Sequence, residues 1–280
     1  MQIVRSISEF RAWRSGIAGS LGLVPTMGYL HEGHLSLVRA SRGGDAVTVA
    51  TIFVNPTQFA PNEDLARYPR DEARDLALLE AEGVDAVFVP TAEEMYAPHF
   101  STFVTVENLT QRLEGQSRPT HFRGVTTVVL KLFNITQPDR AYFGRKDAQQ
   151  LAVVRRMVRD LDVAVEIVGL PIVREADGVA MSSRNVNLSP EQRRGARILS
   201  RSLKLAESLV AAGQRDAAEI RASMASLIAA EDLAVVDYVS VADVESLEEL
   251  SVIERAALVS LAVRFGGTRL IDNVTIEPAD

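Results

Sequence analysis

An α/β protein, with a Rossmann-like, mostly parallel sheet domain and a smaller C-terminal α+β domain, is the fold class that three features of this 280-residue sequence predict. Short apolar runs alternate with helix-period segments as far as about residue 170. Turns that contain glycine follow some of those runs, just where a helix begins. After Pro171 the rhythm gives way to two long helical segments and three strand-like ones, the pattern of a small antiparallel sheet with helices. Apolar residues make up 47% of the chain, enough for a sizeable core, and the length suits a first domain at residues 1–172 and a second at 173–280.

Taken in order, the first strand is expected at 21–24 and the amphipathic run 35–42 reads as the next helix. A strand at 46–54, a helix at 72–82 and a strand at 85–89 continue the alternation. Residues 124–134 read as a buried helix, 140–143 as a strand, 147–160 as a helix and 163–168 as a strand. Repeated strand–helix–strand units build a mostly parallel sheet with helices on both faces, and ligands gather beyond the carboxyl ends of its strands. In the second domain, helices at 190–212 and 216–230 precede strands at 235–241, 257–263 and 269–275.

Charge and composition narrow the function classes. Thirty Lys and Arg against 37 Asp and Glu leave a net charge of -7, which offers no general attraction for nucleic acid. The absence of cysteine excludes a disulfide framework and thiol catalysis. The N-terminal segment lacks the apolar core of a signal peptide, and no apolar run approaches the roughly 20 residues that span a bilayer. A cytoplasmic protein without nucleic-acid or membrane partners is therefore expected.

The richest motif is Pro25-Thr26-Met27-Gly28-Tyr29-Leu30-His31-Glu32-Gly33-His34, which follows the first strand. Gly28 and Gly33 permit a tight turn, and the N-terminus of the next helix, with its unpaired N–H groups and positive dipole end, attracts phosphate. His31 and His34 add donors aimed the same way. A zinc protease reading fails because His-Glu-x-x-His spacing is not met, and another metal site is short of ligands, with only His99 and His121 as further histidines. Asn55 and Gln58 follow the second long strand; they are either readers of a small polar substrate or an Asn-Pro turn that caps the strand. Gly144-Arg145-Lys146-Asp147 again opens a helix after a strand, without Walker spacing, and Asp147 doubles as a candidate N-cap. Gln149 and Gln150 point about 100° apart on that helix, so one of them faces a ligand. Met181-Ser182-Ser183-Arg184-Asn185 offers hydroxyls and a cation suited to a polyphosphate, though Arg184 also reads as a solvated loop cation. The loop around His121 is either a basic anion guide or plain surface.

Together with Tyr68-Pro69-Arg70, His121-Phe122-Arg123-Gly124 and the weaker Thr268-Arg269-Leu270-Ile271-Asp272-Asn273, these motifs resemble the pantothenate synthetase family, with little slippage over residues 21–188. The histidine pair and the loop at 181–184 are also similar to the two signatures of class I aminoacyl-tRNA synthetases and related nucleotidyltransferases. The resemblance implies ATP-dependent joining of pantoate to β-alanine through pantoyl adenylate, with pyrophosphate and then AMP released. It implies that Pro25, Thr26, Met27, Gly28, Tyr29, Leu30, His31, Glu32, Gly33 and His34 contact ATP, with His34 as proton donor beside His31. Gly144, Arg145, Lys146, Asp147, Val173, Met181, Ser182, Ser183 and Arg184 complete that set, Lys146 and Arg184 stabilising phosphates. Gln58 and Gln150 hold pantoate, Gln58 later lies near β-alanine, and Mg2+ bridges phosphate oxygens with Asp75 as a helper. A homodimer and a lid role for the second domain are implied as well. Two departures stand out: Arg145 replaces the usual glutamate, and Thr120 the usual glycine. Rival readings are an adenylyltransferase whose product keeps AMP, a tRNA synthetase, and a nucleotide sensor without catalysis.

Overall fold

The computed structural model describes residues 1–60 and 65–278. The chain divides into two compact units, Met1–Arg145 with Gln150–Pro171, and Lys146–Gln149 with Ile172–Asp280. The short segment Lys146–Gln149 thus groups with residues that follow it by far in sequence.

The first unit holds six strands: β1 (Gln2–Val4), β2 (Leu21–Thr26), β3 (Val47–Ile52), β4 (Ala86–Phe88), β5 (Arg140–Gly144) and β6 (Glu166–Leu170). Their order is β1-β4-β3-β2-β5-β6, and every neighbouring pair is parallel. Helices such as Glu32–Gly44, Glu72–Ala81 and His121–Thr136 make the crossovers. β3 reads Val-Thr-Val-Ala-Thr-Ile, the β-branched run of a strand with both faces covered. Val24, Val38, Ala50, Leu79 and Val87 are fully buried in one cluster, where each Val or Leu contributes about 1.5–3 kcal/mol of hydrophobic stabilisation.

Pro25 sits inside the central strand β2, where a missing N–H would ordinarily cost a ladder bond. The β2–β5 ladder stops at Leu23, while β2 and β3 stay paired as far as Thr26 and Ile52. The proline therefore falls where β2 and β5 have already parted. The chain turns one way from β2 to β3 and returns on the other side with β5, so this gap is the topological switch point of the sheet, the place where ligands enter such folds.

Several boundaries shift from expectation. The helix expected at 35–42 begins at Glu32 and so includes His34. The helix expected from 124 begins at His121. The strand expected at 163–168 lies at Glu166–Leu170, because its register follows β5 while Val163 is spent in a turn, donating to the Val158 carbonyl. The single helix expected at 190–212 is two, Pro190–Ala196 and Ile198–Ala211, divided at Arg197. β1 and the helix Ile7–Ser15 were not expected at all.

In the second unit, β7 (Ala234–Asp243), β8 (Ala257–Phe265) and β9 (Thr268–Ile276) form an antiparallel sheet. Ala257, Val259, Leu261, Val263 and Phe265 alternate along β8 into one core with Leu203, Ala206, Val210, Ile220, Met224 and Ile228 of the helices Ile198–Ala211 and Ala217–Ala229. The period-two and period-3.6 stripes meet there, as the composition after Pro171 foretells.

Candidate active site

The histidine turn leaves the carboxyl end of β2 and caps its own helix. His31 is the N-cap of Glu32–Gly44; its Nδ1 accepts the Gly33 N–H at 3.1 Å, and the His34 Nδ1 accepts the His31 N–H at 3.3 Å. The two rings lie 4.1 Å apart between centroids, tilted by 33°. An imidazole that accepts at Nδ1 carries its proton on Nε2. With Nδ1 of each ring accepting, Nε2 is the nitrogen left to carry the N–H donor. The backbone is less available than the sequence implies, since the His31 and Gly33 N–H groups serve these bonds and the His34 N–H donates to the His31 carbonyl at 2.8 Å. Glu32 pairs with Arg39.

Asp75, at the start of Glu72–Ala81, fastens this turn. Its Oδ2 accepts the Tyr29 N–H at 2.6 Å and its Oδ1 the Leu30 N–H at 2.7 Å, while the neighbouring Arg74 donates to the Leu30 carbonyl at 2.9 Å. Tyr29 has φ 53° and Gly28 φ 83°, so two consecutive residues sit in the left-handed region and the clasp holds a conformation the chain does not favour by itself. Burial pushes the Asp75 pKa above the ordinary carboxylate value, and the two amides and Arg74 pull against that shift.

Gln58 follows β3 in the 3₁₀ turn Pro56–Gln58, capped by Asn55. Asn55 Oδ1 accepts from the Thr57 N–H at 3.3 Å and the Tyr96 hydroxyl at 2.7 Å, while its Nδ2 donates to the Gly124 carbonyl at 3.1 Å. Backbone groups on both sides thus fix which end of the Asn55 amide is nitrogen. Its Nδ2 also donates to Gln58 Oε1 at 2.9 Å, which turns the Gln58 Nε2, a pure donor, away from Asn55. The Gln58 carbonyl meets His121 Nδ1 at 3.0 Å and Arg118 Nη2 at 3.2 Å. His121 is therefore the first residue of a helix packed on the Gln58 turn, and a Cβ on Gly124 would come within 2.3 Å of the Thr57 carbonyl oxygen. Thr120 has φ -98°, which any residue adopts, so the missing glycine costs no strain there.

The remaining candidates lie around β5 and in the second unit. Gly144 ends β5, and Arg145 Nε donates to the Gly169 carbonyl at 3.1 Å, along β6. Gln149 is buried and Gln150 half-buried at the start of the helix Ala148–Asp160. Lys146 and Asp147 group with the second unit, where Lys146 Nζ lies 3.4 Å from Asp147 Oδ1. There Val173 and Met181 face each other across a hairpin: the Met181 N–H donates to the Val173 carbonyl at 3.0 Å, with a bridge between Arg174 and Ala180 and a turn at Gly178, φ 93°. Ser182 caps the 3₁₀ turn Ser183–Asn187 by accepting the Arg184 N–H at 3.2 Å, and Arg184 is exposed. Arg74 and Tyr96 carry no local motif that marks them; their partners Leu30 and Asn55 lie 44 and 41 residues away.

Three strands in a row, β3, β2 and β5, thus release Asn55 and Gln58, the histidine turn, and Gly144 with Arg145 at one edge of the first unit's sheet. Among the described residues no group of three or more His, Cys, Asp or Glu is placed to hold a metal ion. Asp75 has both oxygens on backbone amides, which suits a structural carboxylate better than a metal ligand. Among the described residues no helix is long and apolar enough to cross a membrane.

The chain matches the family model described as pantoate-beta-alanine ligase over residues 2–275. It is 59% identical over 277 residues to the pantothenate synthetase of Roseiflexus sp. (strain RS-1), with 99% of this chain and 100% of that protein covered. The pantothenate synthetase of Acetivibrio thermocellus is 57% identical over 280 residues, with 99% and 100% covered. Among solved structures, pantothenate synthetase from Thermus thermophilus is similar at TM-score 0.95 and 48% identity, covering 99% of this chain and 100% of that one. Pantoate-beta-alanine ligase from Francisella tularensis, complexed with beta-gamma ATP and beta-alanine, is similar at TM-score 0.80 and 32% identity, covering 98% and 97%.

Proposed function

The chain belongs to the pantoate-beta-alanine ligase family, and from that premise we propose how its residues divide the work of the reaction. The enzyme condenses pantoate with β-alanine to pantothenate, driven by ATP. The observation that carries the assignment of roles is the edge of β3 and β2, where a glutamine that presents its NH2 group and two histidines that present Nε2–H emerge from neighbouring strands.

In the first stage a pantoate carboxylate oxygen attacks the α-phosphorus of ATP, the bond to the bridging oxygen breaks, and pyrophosphate leaves from pantoyl adenylate. Gln58 and Gln150 hold pantoate, the Gln58 Nε2–H donating to an acceptor oxygen of the acid. His34, with His31 beside it, donates through Nε2–H to the phosphate oxygens that gain charge. Lys146 and Arg184 stabilise the same charge. Pro25, Thr26, Met27, Gly28, Tyr29, Leu30, Glu32, Gly33, Gly144, Arg145, Asp147, Val173, Met181, Ser182 and Ser183 line ATP. Catalysis of this kind is positioning and electrostatic stabilisation. In the second stage the neutral amine of β-alanine, near Gln58, attacks the acyl carbon, AMP leaves with the electron pair and the amine gives up a proton; a dry site limits loss of the anhydride to water.

Mg2+ bound with ATP would supply charge neutralisation at the phosphates; Asp75, the helper that the family resemblance implies, has both oxygens on the Tyr29 and Leu30 amides and so supports the histidine turn. The enzyme acts in the cytoplasm as a homodimer on small molecules alone. Product analysis after incubation with ATP and pantoate tests the reading. Free AMP and pantothenate should appear in equal amounts when β-alanine is added, whereas a product that keeps AMP would make the protein an adenylyltransferase.

A further inference from the structure

Two adjacent residues of the last strand reach the candidate ATP residues of the second unit by separate routes. Asn273, 6% exposed, donates from Nδ2 to the Lys146 carbonyl across 2.7 Å, linking positions 127 residues apart. Asp272, 2% exposed, accepts a forked pair of bonds from Arg174, at 2.6 Å from Nη1 and 3.0 Å from Nη2, and takes the Asn273 N–H on Oδ1 at 2.8 Å. Arg174 stands in the hairpin that carries Val173 and Met181. Pairing of Asp272 with Leu261 and of Asn273 with Ser260 sets both residues in register on β9. Successive strand residues face opposite sides of a sheet, so one dipeptide serves two segments.

The Lys146 backbone needs such a hold. It lies in the 3₁₀ turn Arg145–Asp147, which hands the chain from β5 to the helix Ala148–Asp160, and turns of this length offer poor hydrogen-bond geometry of their own. A lysine ammonium is a point charge on a flexible four-carbon stem, so where its root is fixed decides where the charge arrives. We propose that Asn273 is a positioning residue for Lys146, fixing the backbone from which that side chain reaches the phosphates of ATP. The proposal rests on the phosphate role assigned to Lys146 above.

Asn273→Asp keeps the size and shape of the side chain but replaces the donor toward Lys146 by an oxygen. In the pantoate-dependent exchange of labelled pyrophosphate into ATP, we expect this variant to lose on the order of tenfold in kcat/KM for ATP, with the KM for pantoate unchanged. A strand residue of purely structural value would lower the unfolding temperature and move both substrates alike. The decisive comparison is a double-mutant cycle with Lys146→Ala. Loss from Asn273→Asp in the parent enzyme, but none once Lys146 is alanine, supports the proposal; equal losses in both backgrounds overturn it. If Lys146→Ala is itself harmless, the phosphate role of Lys146 falls and the positioning role with it. Should Asn273→Asp not fold, Asn273→Ser and Asn273→Ala run the same cycle: a serine hydroxyl that recovers activity lost in the alanine variant supports the contact, and equal activities of the two overturn it.

Discussion

His31 and His34 each spend Nδ1 on the turn they belong to, and this decides what they can offer a ligand. A ring whose Nδ1 accepts an N–H cannot also be protonated there without breaking the cap, so donation through Nε2 is the form the turn selects. Asp75 keeps that turn in place with both oxygens. We expect Asp75→Asn to lower pantoate-dependent pyrophosphate exchange by about tenfold or more, because an amide offers one acceptor atom where the turn needs two and each lost bond to a charged group costs about 1.5–3 kcal/mol. Unchanged exchange in that variant would remove the clasp from the account. The histidine turn was legible in sequence because its parts are contiguous and its glycine, Gly28, is required by φ 83°. The clasp was not: Asp75 lies 45 residues from Leu30, and an acid in the first turn of a helix looks the same whether it caps, binds metal or holds a distant loop. The partners of Tyr96 and Asn273 were hidden for the same reason, since they lie 41 and 127 residues away.

At the scale of elements, boundaries are where sequence reading lost most. Helix Ile7–Ser15 carries a full capping box, Ser6 with Glu9, but it is short and only Phe10 of it is buried, so its apolar stripe is too thin to mark a helix by itself. β6 shifted because pairing with β5, and not its own apolar run, sets its register. The strands of the small sheet came within about two residues of expectation, since each is a run of β-branched and apolar residues bounded by polar or glycine-containing turns. The end of β7 offers a test of how that sheet is closed. Asp243 accepts the N–H groups of Ser246 at 2.8 Å and Glu245 at 2.9 Å and pairs with Arg255 at 2.8 Å, which hold its pKa down at about 2. Its folded value lies below its unfolded one, so its stabilisation is complete above the unfolded pKa and is lost as pH falls toward the folded one. We expect Asp243→Asn to cost about 1–3 kcal/mol at neutral pH, and the gap between variant and parent in urea unfolding to narrow between about pH 4 and pH 2. A gap that stays constant with pH would show that the charge of Asp243 does not matter there.

For the whole molecule, the fold class was readable because strand and helix alternate before residue 171, whereas after it helices come first and strands follow as a block. The strand order was not, since nothing local says that β5 returns beside β2; that return creates the switch point at which the candidate residues of the first unit emerge. Nor does any composition shift mark Lys146–Gln149 as part of the second unit. The central claim, that the enzyme activates pantoate as an acyl adenylate before the amine arrives, is tested most directly by exchange of labelled pyrophosphate into ATP with β-alanine left out. We expect exchange that requires pantoate and proceeds without β-alanine; exchange that appears only when β-alanine is present, or that ignores pantoate, would contradict it.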